Sequence, residues 1–109
     1  MPSERRLITF TKKEVEAAMR RFAYSQDRKL PQGEPSALDF HGKGEDGVSV
    51  KLAFNTDGET RAITFTELET AAALIGYCAK LKVPVPRQGR KSVRLKNGDL
   101  ALQIDVPQR

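Results

Sequence analysis

The sequence of 109 residues has no tryptophan, one cysteine and one histidine. Cys78 therefore has no partner for an internal disulfide, and a chain of this length buries enough surface to fold without one. His41 alone cannot supply the several histidine or cysteine ligands of a zinc site. The longest apolar run, 71–79, is interrupted by Gly76 and is too short to span a bilayer. We expect no cofactor, no bound metal and no membrane association.

Acidic residues are missing from one long segment of the chain. No Asp or Glu occurs between Glu69 and Asp99, and seven cations fall in that gap: Lys80, Lys82, Arg87, Arg90, Lys91, Arg94 and Lys96. Residues 70–109 carry eight basic and two acidic side chains, whereas residues 30–69 carry three basic and eight acidic ones. The net charge of +5 is thus unevenly spread, with +4 in residues 1–29, −5 in residues 30–69 and +6 in residues 70–109, and this asymmetry predicts a basic surface for an anionic partner.

The overall composition is typical of one soluble globular domain. Hydrophobic residues make up 39% and charged residues 30%, and we assign residues 1–109 to a single domain. Cys78 lies in an apolar run and is interpreted as a small core residue, which suits a reducing cytoplasm. The charged residues 1–6 lead directly into a strand pattern, so no signal peptide is expected.

Two segments fifty-five residues apart resemble each other. Ile8-Thr9-Phe10-Thr11 is followed by Glu14, and Ile63-Thr64-Phe65-Thr66 is followed by Glu69. Each is typical of a strand that ends at a Thr N-cap, with Glu at the third helical position to complete a capping box. The sequence therefore predicts helices over 12–24 and 67–82, each beginning immediately after a strand.

The second predicted helix is the more apolar of the two. Apolar residues surround much of its circumference, so we expect it to be more buried than the first helix. Gly76 lies in its middle and costs about 1 kcal/mol relative to Ala. This predicts a close contact at Gly76 with a strand or another helix.

Hairpin signals dominate the remaining segments. Asn97-Gly98 between two alternating runs predicts a two-residue turn, in which Leu95 pairs with Leu100 and Val93 with Leu102. The fold class is α+β, with a mainly antiparallel sheet and two helices. The two halves, 7–54 and 60–106, each fit a β-α-β-β pattern, with residues 48, 50, 52 and 54 matching 100, 102, 104 and 106. Either the chain contains an internal repeat with pseudo-symmetry, or the resemblance is a coincidence of common residues.

Two motifs have the spacing of catalytic or cofactor sites but not the context. The segment 42–47 fits the dinucleotide pattern G-x-G-x-x-G, yet a strand pattern follows it where a helix is required. Ser36, Asp39 and His41 lie close together on one strand, which cannot assemble a Ser-His-Asp relay from different elements. We interpret the first as a hairpin tip and the second as a solvent-facing strand edge. The chain is not expected to be an enzyme.

The basic segment is the main functional lead. We predict a nucleic-acid-binding surface on a loop carrying Arg87, Arg90 and Lys91 and on the outward face of the last hairpin, where Arg94 and Lys96 lie. No aromatic is clearly interleaved with these cations, so contacts to phosphates of DNA or RNA, without base reading, are the main hypothesis. The alternative is a protein-interaction or regulatory module that binds an acidic protein partner.

Overall fold

The computed structural model describes residues 3–31, 33–43, 46–87 and 89–107. Along the chain the elements are β1 (Ser3–Phe10), α1 (Lys12–Ser25), β2 (Ala37–Lys43), β3 (Asp46–Thr56), β4 (Glu59–Phe65), α2 (Glu67–Lys80), β5 (Arg90–Lys96) and β6 (Asp99–Pro107). The α+β class with two helices and antiparallel strands is confirmed. Helix α2 ends two residues before the predicted boundary, and β5 begins at a position predicted to be loop.

The described strands form two sheets of three strands rather than one continuous sheet. The strand orders are β1-β6-β5 and β2-β3-β4, and every pairing is antiparallel. The last hairpin has the predicted register, because Val93 pairs with Leu102 and Leu95 with Leu100. Strand β1 joins this hairpin, although nearly the whole chain lies between β1 and β6.

Both helices begin as the Thr and Glu spacing predicts. The Thr11 hydroxyl oxygen accepts a hydrogen bond from the Glu14 amide at 3.2 Å, and the Glu14 carboxylate accepts one from the Thr11 amide at 2.9 Å. Thr66 and Glu69 form the same capping box at 3.2 and 3.0 Å. These bonds satisfy amide donors that the first helical turn leaves without intrahelical partners.

One hydrophobic core is shared by both helices and both sheets. Its largest fully buried side chains are Phe54, Phe65, Met19, Leu52, Leu74, Leu100, Leu102 and Ile104. Helices α1 and α2 pack against each other, and β3 of one sheet contacts β5 of the other. The opposite face of each sheet is therefore available for function.

Helix α2 is more buried than α1, as its composition predicts, but only slightly. Each helix buries four side chains: Val15, Ala18, Met19 and Ala23 in α1, and Thr70, Ala73, Leu74 and Cys78 in α2. Of its other residues α2 exposes four and α1 six, so part of the apolar surplus of α2 is half-buried and part is on its surface. At Gly76 an added Cβ would lie 3.1 Å from Nη1 of Arg21, which is the far end of a flexible side chain on α1. The predicted close contact exists, but it is with a group that is free to shift.

The strand order is what two β-α-β-β units would give if the first strand of each unit paired with the hairpin of the other unit. Strand β1 joins the hairpin β5–β6, and β4 joins the hairpin β2–β3. The neighbours of Leu52 are Leu38 and Ile63, and those of Leu102 are Val93 and Ile8.

When the two halves of the chain are compared by these pairings, Leu52 is equivalent to Leu102. The sequence pattern instead predicts residue 104 as the equivalent of residue 52. The two assignments differ because the first hairpin is longer than the second. Leu38 pairs with Leu52, fourteen residues later in the chain, whereas Val93 pairs with Leu102, nine residues later. The residue after each helix's C-cap also has a positive φ, 56° at Asp27 and 59° at Lys82. An actual duplication stays a prediction.

Candidate nucleic-acid interface

Strand β5 carries most of the predicted cations and separates them onto two faces. Because side chains alternate along a strand, Arg90, Arg94 and Lys96 share one face, while Lys91 shares the other with Val93. Val93 is fully buried in the core, so the face with Arg90, Arg94 and Lys96 points outward. We call these three residues the β5 basic surface. At about 3.3 Å per residue, Arg90 and Lys96 are roughly 20 Å apart along the strand.

Arg90 and Lys91 are strand residues rather than the loop residues expected from the sequence. Arg90 pairs with Asp105 and Lys91 with Ile104 in the antiparallel ladder of β5 and β6. The Lys91 ammonium folds back to donate hydrogen bonds to the carbonyls of Arg87 and Gly89, at 3.2 and 3.4 Å. Lys91 therefore lies with the Arg87 loop and not with the β5 basic surface.

Gly89 brings the Arg87 loop against the neighbouring strand. Its φ is +113°, a conformation that side chains rarely adopt, and an added Cβ would lie 2.8 Å from the Asp105 carbonyl oxygen. The backbone thus approaches β6 at a distance that only glycine permits. This close approach fixes where β5 begins, and with it the position of Arg90.

A polar chain crosses the outward face of the sheet from β5 to β1. Arg94 donates from Nη1 to Oε1 of Gln103 at 2.5 Å, and Gln103 donates from Nε2 to Oδ2 of Asp105 at 2.9 Å. Arg5 on β1 donates from Nε to the other Asp105 oxygen at 2.8 Å. Hydrogen bonds from Arg5 and Gln103 lower the pKa of Asp105, and the charges of Arg5 and Arg90 lower it further. Asp105 therefore stays ionised and holds Gln103 oriented toward Arg94.

Three of the predicted cations keep their charge available. Within the described ranges Arg87, Arg90 and Lys96 are exposed and form no ion pair. Four other arginines are paired with carboxylates: Arg5 with Asp105, Arg6 with Glu4, Arg20 with Glu16 and Arg28 with Glu69. Asp105 and Asp99 lie opposite Arg90 and Lys96 on β6, but the β5 basic surface and the adjacent loop still carry more cations than carboxylates.

Sequence reasoning missed two features near cations. Arg5 belongs to the outward face only because β1 pairs with β6, and no local pattern indicates that pairing. The second is Tyr24, whose side chain is 86% exposed at the end of α1. It lines an open groove of about 760 Å³ together with Arg20, Asp27, Arg28, Lys29 and Leu30. An exposed aromatic among cations was a local signal that the sequence did contain.

The two arginines of the Tyr24 groove are already engaged within the fold, whereas Lys29 is exposed. The Arg20 guanidinium lies 5.5 Å from the centre of the Phe54 ring and pairs with Glu16. That of Arg28 lies 5.0 Å from the Phe65 ring and pairs with Glu69. Their positive charge is therefore largely balanced, in contrast to that of Arg87, Arg90 and Lys96.

The geometry gives little support to a dinucleotide site, a Ser-His-Asp relay or a metal site. Strands β2 and β3 flank the glycine-rich segment, so it connects a hairpin and does not open a helix; residues 44 and 45 lie outside the described ranges. Ser36 donates its hydroxyl hydrogen to the Ala53 carbonyl at 3.2 Å, and Asp39 and His41 are exposed on β2. Among the described residues no three His, Cys, Asp or Glu side chains cluster as metal ligands.

Cys78 is enclosed in the core. Burial raises the pKa of the Cys78 thiol, and the nearby charge of Glu14 raises it further. The thiol is therefore protonated at neutral pH, and a protonated thiol is a poor nucleophile.

Comparison of the chain with models of known protein families, with curated proteins and with solved structures gave no match. In the part of the chain that the structure describes, neither helix is long and apolar enough to cross a membrane.

Proposed function

We propose that the protein is a non-enzymatic binding protein that holds the phosphate backbone of DNA or RNA without reading its bases. The contacts are assigned to Arg90, Arg94 and Lys96 on the β5 basic surface, with Arg87 and Lys91 beside them. The observation that carries the proposal is that Arg87, Arg90 and Lys96, on one strand and its adjoining loop, are exposed and form no ion pair in the described ranges. A lone buried cysteine fits a reducing cytoplasm as the location.

Phosphate contact is favoured over base readout by what surrounds these cations. Two of the outward-facing neighbours on β6, Ala101 and Gln103, are buried, and Gln103 already bonds to Arg94 and Asp105. The other two, Asp99 and Asp105, lie opposite Lys96 and Arg90. No aromatic ring lies between the cations of β5 for bases to stack on. Exposed cations on a rigid strand bind phosphates by charge, which is largely independent of sequence.

The proposal predicts a steep dependence of affinity on salt. The slope of log affinity against log salt is about −0.9 per neutralised phosphate on duplex DNA, so five contacts give roughly −4.5. Raising salt from about 50 to about 200 mM should then weaken binding ~500-fold, against ~40-fold if only Arg87, Arg90 and Lys96 engage. Fluorescence anisotropy with labelled single- and double-stranded DNA and RNA of unrelated sequences measures both the slope and the sequence preference.

Two variants with the same change in net charge test whether binding depends on the β5 basic surface or on the total charge of the protein. R90E/K96E removes two proposed contacts and should weaken binding at least ~10-fold while reducing the salt slope by about 1.8. K12E/K13E makes the same change in net charge at two exposed lysines that begin α1. This control should change the affinity far less and leave the slope as it is.

Equal losses in the two variants would show that binding depends on net charge and not on the β5 basic surface. A wild-type protein that retards no nucleic acid at low salt would end the proposal. The same cations would then be assigned to an acidic protein partner, the remaining candidate for them.

A further inference from the structure

One flank of α2, only partly covered by the core, carries an apolar stripe. Leu68, Ala72, Ile75 and Ala79 occur at i, i+4, i+7 and i+11, which places them on one side of the helix. Leu68 is 83% exposed, Ala72 and Ala79 are also exposed, and Ile75 is half-buried against the core. We call these four residues the α2 stripe. A leucine so exposed at the start of an apolar stripe is typical of a contact surface.

The stripe continues beyond the end of the helix into an apolar groove. The groove has a volume of about 430 Å³ and is lined by Ile75, Ala79, Val83, Val85 and Pro86, with Arg87 and Lys91 at its rim. Leu81, next to it in the chain, is also exposed, at 47%. The apolar surface therefore extends along the whole helix and its following loop.

The first helix provides an internal comparison. Counted from its own Thr cap, α1 has Lys13, Ala17, Arg20 and Tyr24 at the positions that Leu68, Ala72, Ile75 and Ala79 occupy in α2. Two of these four α1 residues, Lys13 and Arg20, are cationic, and Arg20 pairs with Glu16, so this flank of α1 is more polar than the α2 stripe. Two helices with the same cap and the same length thus differ in the polarity of this flank. This difference indicates that the α2 stripe contacts something that α1 does not.

The charges at the two ends of the stripe favour a second copy of this chain as the partner. Glu67 begins α2, and Lys80 ends it. A second α2 placed antiparallel brings the acidic start of each helix to the basic end of the other, and opposes the two helix dipoles favourably. In that arrangement Leu68 lies against Ala79 of the second copy, and Ala72 against its Ile75. A parallel arrangement would instead place the two basic ends together.

We propose that this chain forms a twofold-symmetric dimer through antiparallel contact of the α2 stripes. A single apolar helix flank gives a small interface, so the dimer should be weak and reversible. Sedimentation velocity from roughly 5 to roughly 500 µM tests it at physiological salt. The weight-average mass should rise with concentration from that of the 12.1 kDa chain toward twice that value. A mass that stays at the monomer value over the whole range, or climbs past the dimer, overturns the proposal.

The two helices supply a matched control. Ala72 and Ala17 are both exposed alanines six residues after a Thr cap, so A72E and A17E introduce the same charge at equivalent positions. A72E should keep the protein monomeric across the concentration range, and A17E should dimerise like the wild type. Equal effects of the two variants would contradict a specific role of the α2 stripe. Thermal melts of both variants check that each remains folded.

A charge exchange distinguishes a second copy from any other occupant. E67K and K80E should each weaken the dimer, because each places like charges at the contact between residue 67 of one copy and residue 80 of the other. The combined variant E67K/K80E restores opposite charges only if the partner is another copy with the same exchange. Recovery of the wild-type dissociation constant supports the antiparallel dimer, and a combined variant weaker than either single one refutes it.

Discussion

Glu69 has two structural roles, and its counterpart Glu14 has only one. Both accept a hydrogen bond from the amide of their Thr cap, at 3.0 and 2.9 Å. Glu69 also accepts from Nη1 of Arg28 at 2.8 Å, a contact that ties the end of α1 to the start of α2. Glu14 forms no ion pair within the described ranges. We therefore expect Glu69→Ala to destabilise the protein more than Glu14→Ala.

The expected difference follows from the contacts. Loss of a capping interaction costs about 1 kcal/mol in each variant, and the changes in helix propensity and helix dipole cancel because the substitution and the helical position are the same. The Arg28–Glu69 side chains are 36% and 31% exposed, so their ion pair adds only about 0.5–1 kcal/mol. Glu69→Ala should thus cost roughly 1.5–2 kcal/mol and Glu14→Ala about 1 kcal/mol.

Urea unfolding followed by circular dichroism measures this difference at equal m-values. A double-mutant cycle with Arg28→Ala should return the same 0.5–1 kcal/mol as a coupling energy, within about 0.3 kcal/mol. Equal destabilisation by Glu69→Ala and Glu14→Ala, together with zero coupling to Arg28, would refute the reasoning.

Three further outcomes can be measured on the same protein. Gly76→Ala should raise stability by up to about 1 kcal/mol in urea unfolding, because helix propensity improves and the Arg21 guanidinium 3.1 Å away can move; a loss of stability would mean that this contact is rigid. The pKa of Asp105 is lower in the folded state than in the unfolded state, so its stabilisation is present above the ordinary carboxyl pKa and is lost as the pH falls through the folded-state value. The stability difference between wild type and Asp105→Asn should accordingly shrink between about pH 5 and pH 3, and a constant difference would contradict it. The Cys78 thiol should resist a disulfide reagent at about pH 8 in native buffer and react at once in urea, whereas fast native labelling would show that the core opens readily.

The amino-acid sequence by itself determined the features that depend on neighbouring residues. A Thr followed three residues later by Glu specifies a helix start, because both hydrogen bonds of the capping box close within one turn. Asn97-Gly98 likewise specifies the last hairpin, since both residues adopt the positive φ that its tight turn requires, 53° and 83°. The cluster of cations after Glu69 is also visible without any structure.

Only the tertiary structure decided which cations share a surface. Lys91 was grouped with Arg94 and Lys96 by its charge, but the start of β5 at Arg90 turns Lys91 to the other face, because a strand reverses its side-chain direction at every residue. Arg5 reached the same sheet face as Arg94 through a strand pairing that spans about a hundred residues. Such pairings are selected by burial of the common core rather than by any short-range pattern. The tertiary structure also decided that Leu68 is exposed. The sequence shows that this residue is apolar, but whether its helix flank contacts the core, a neighbouring helix or solvent depends on where the other elements pack.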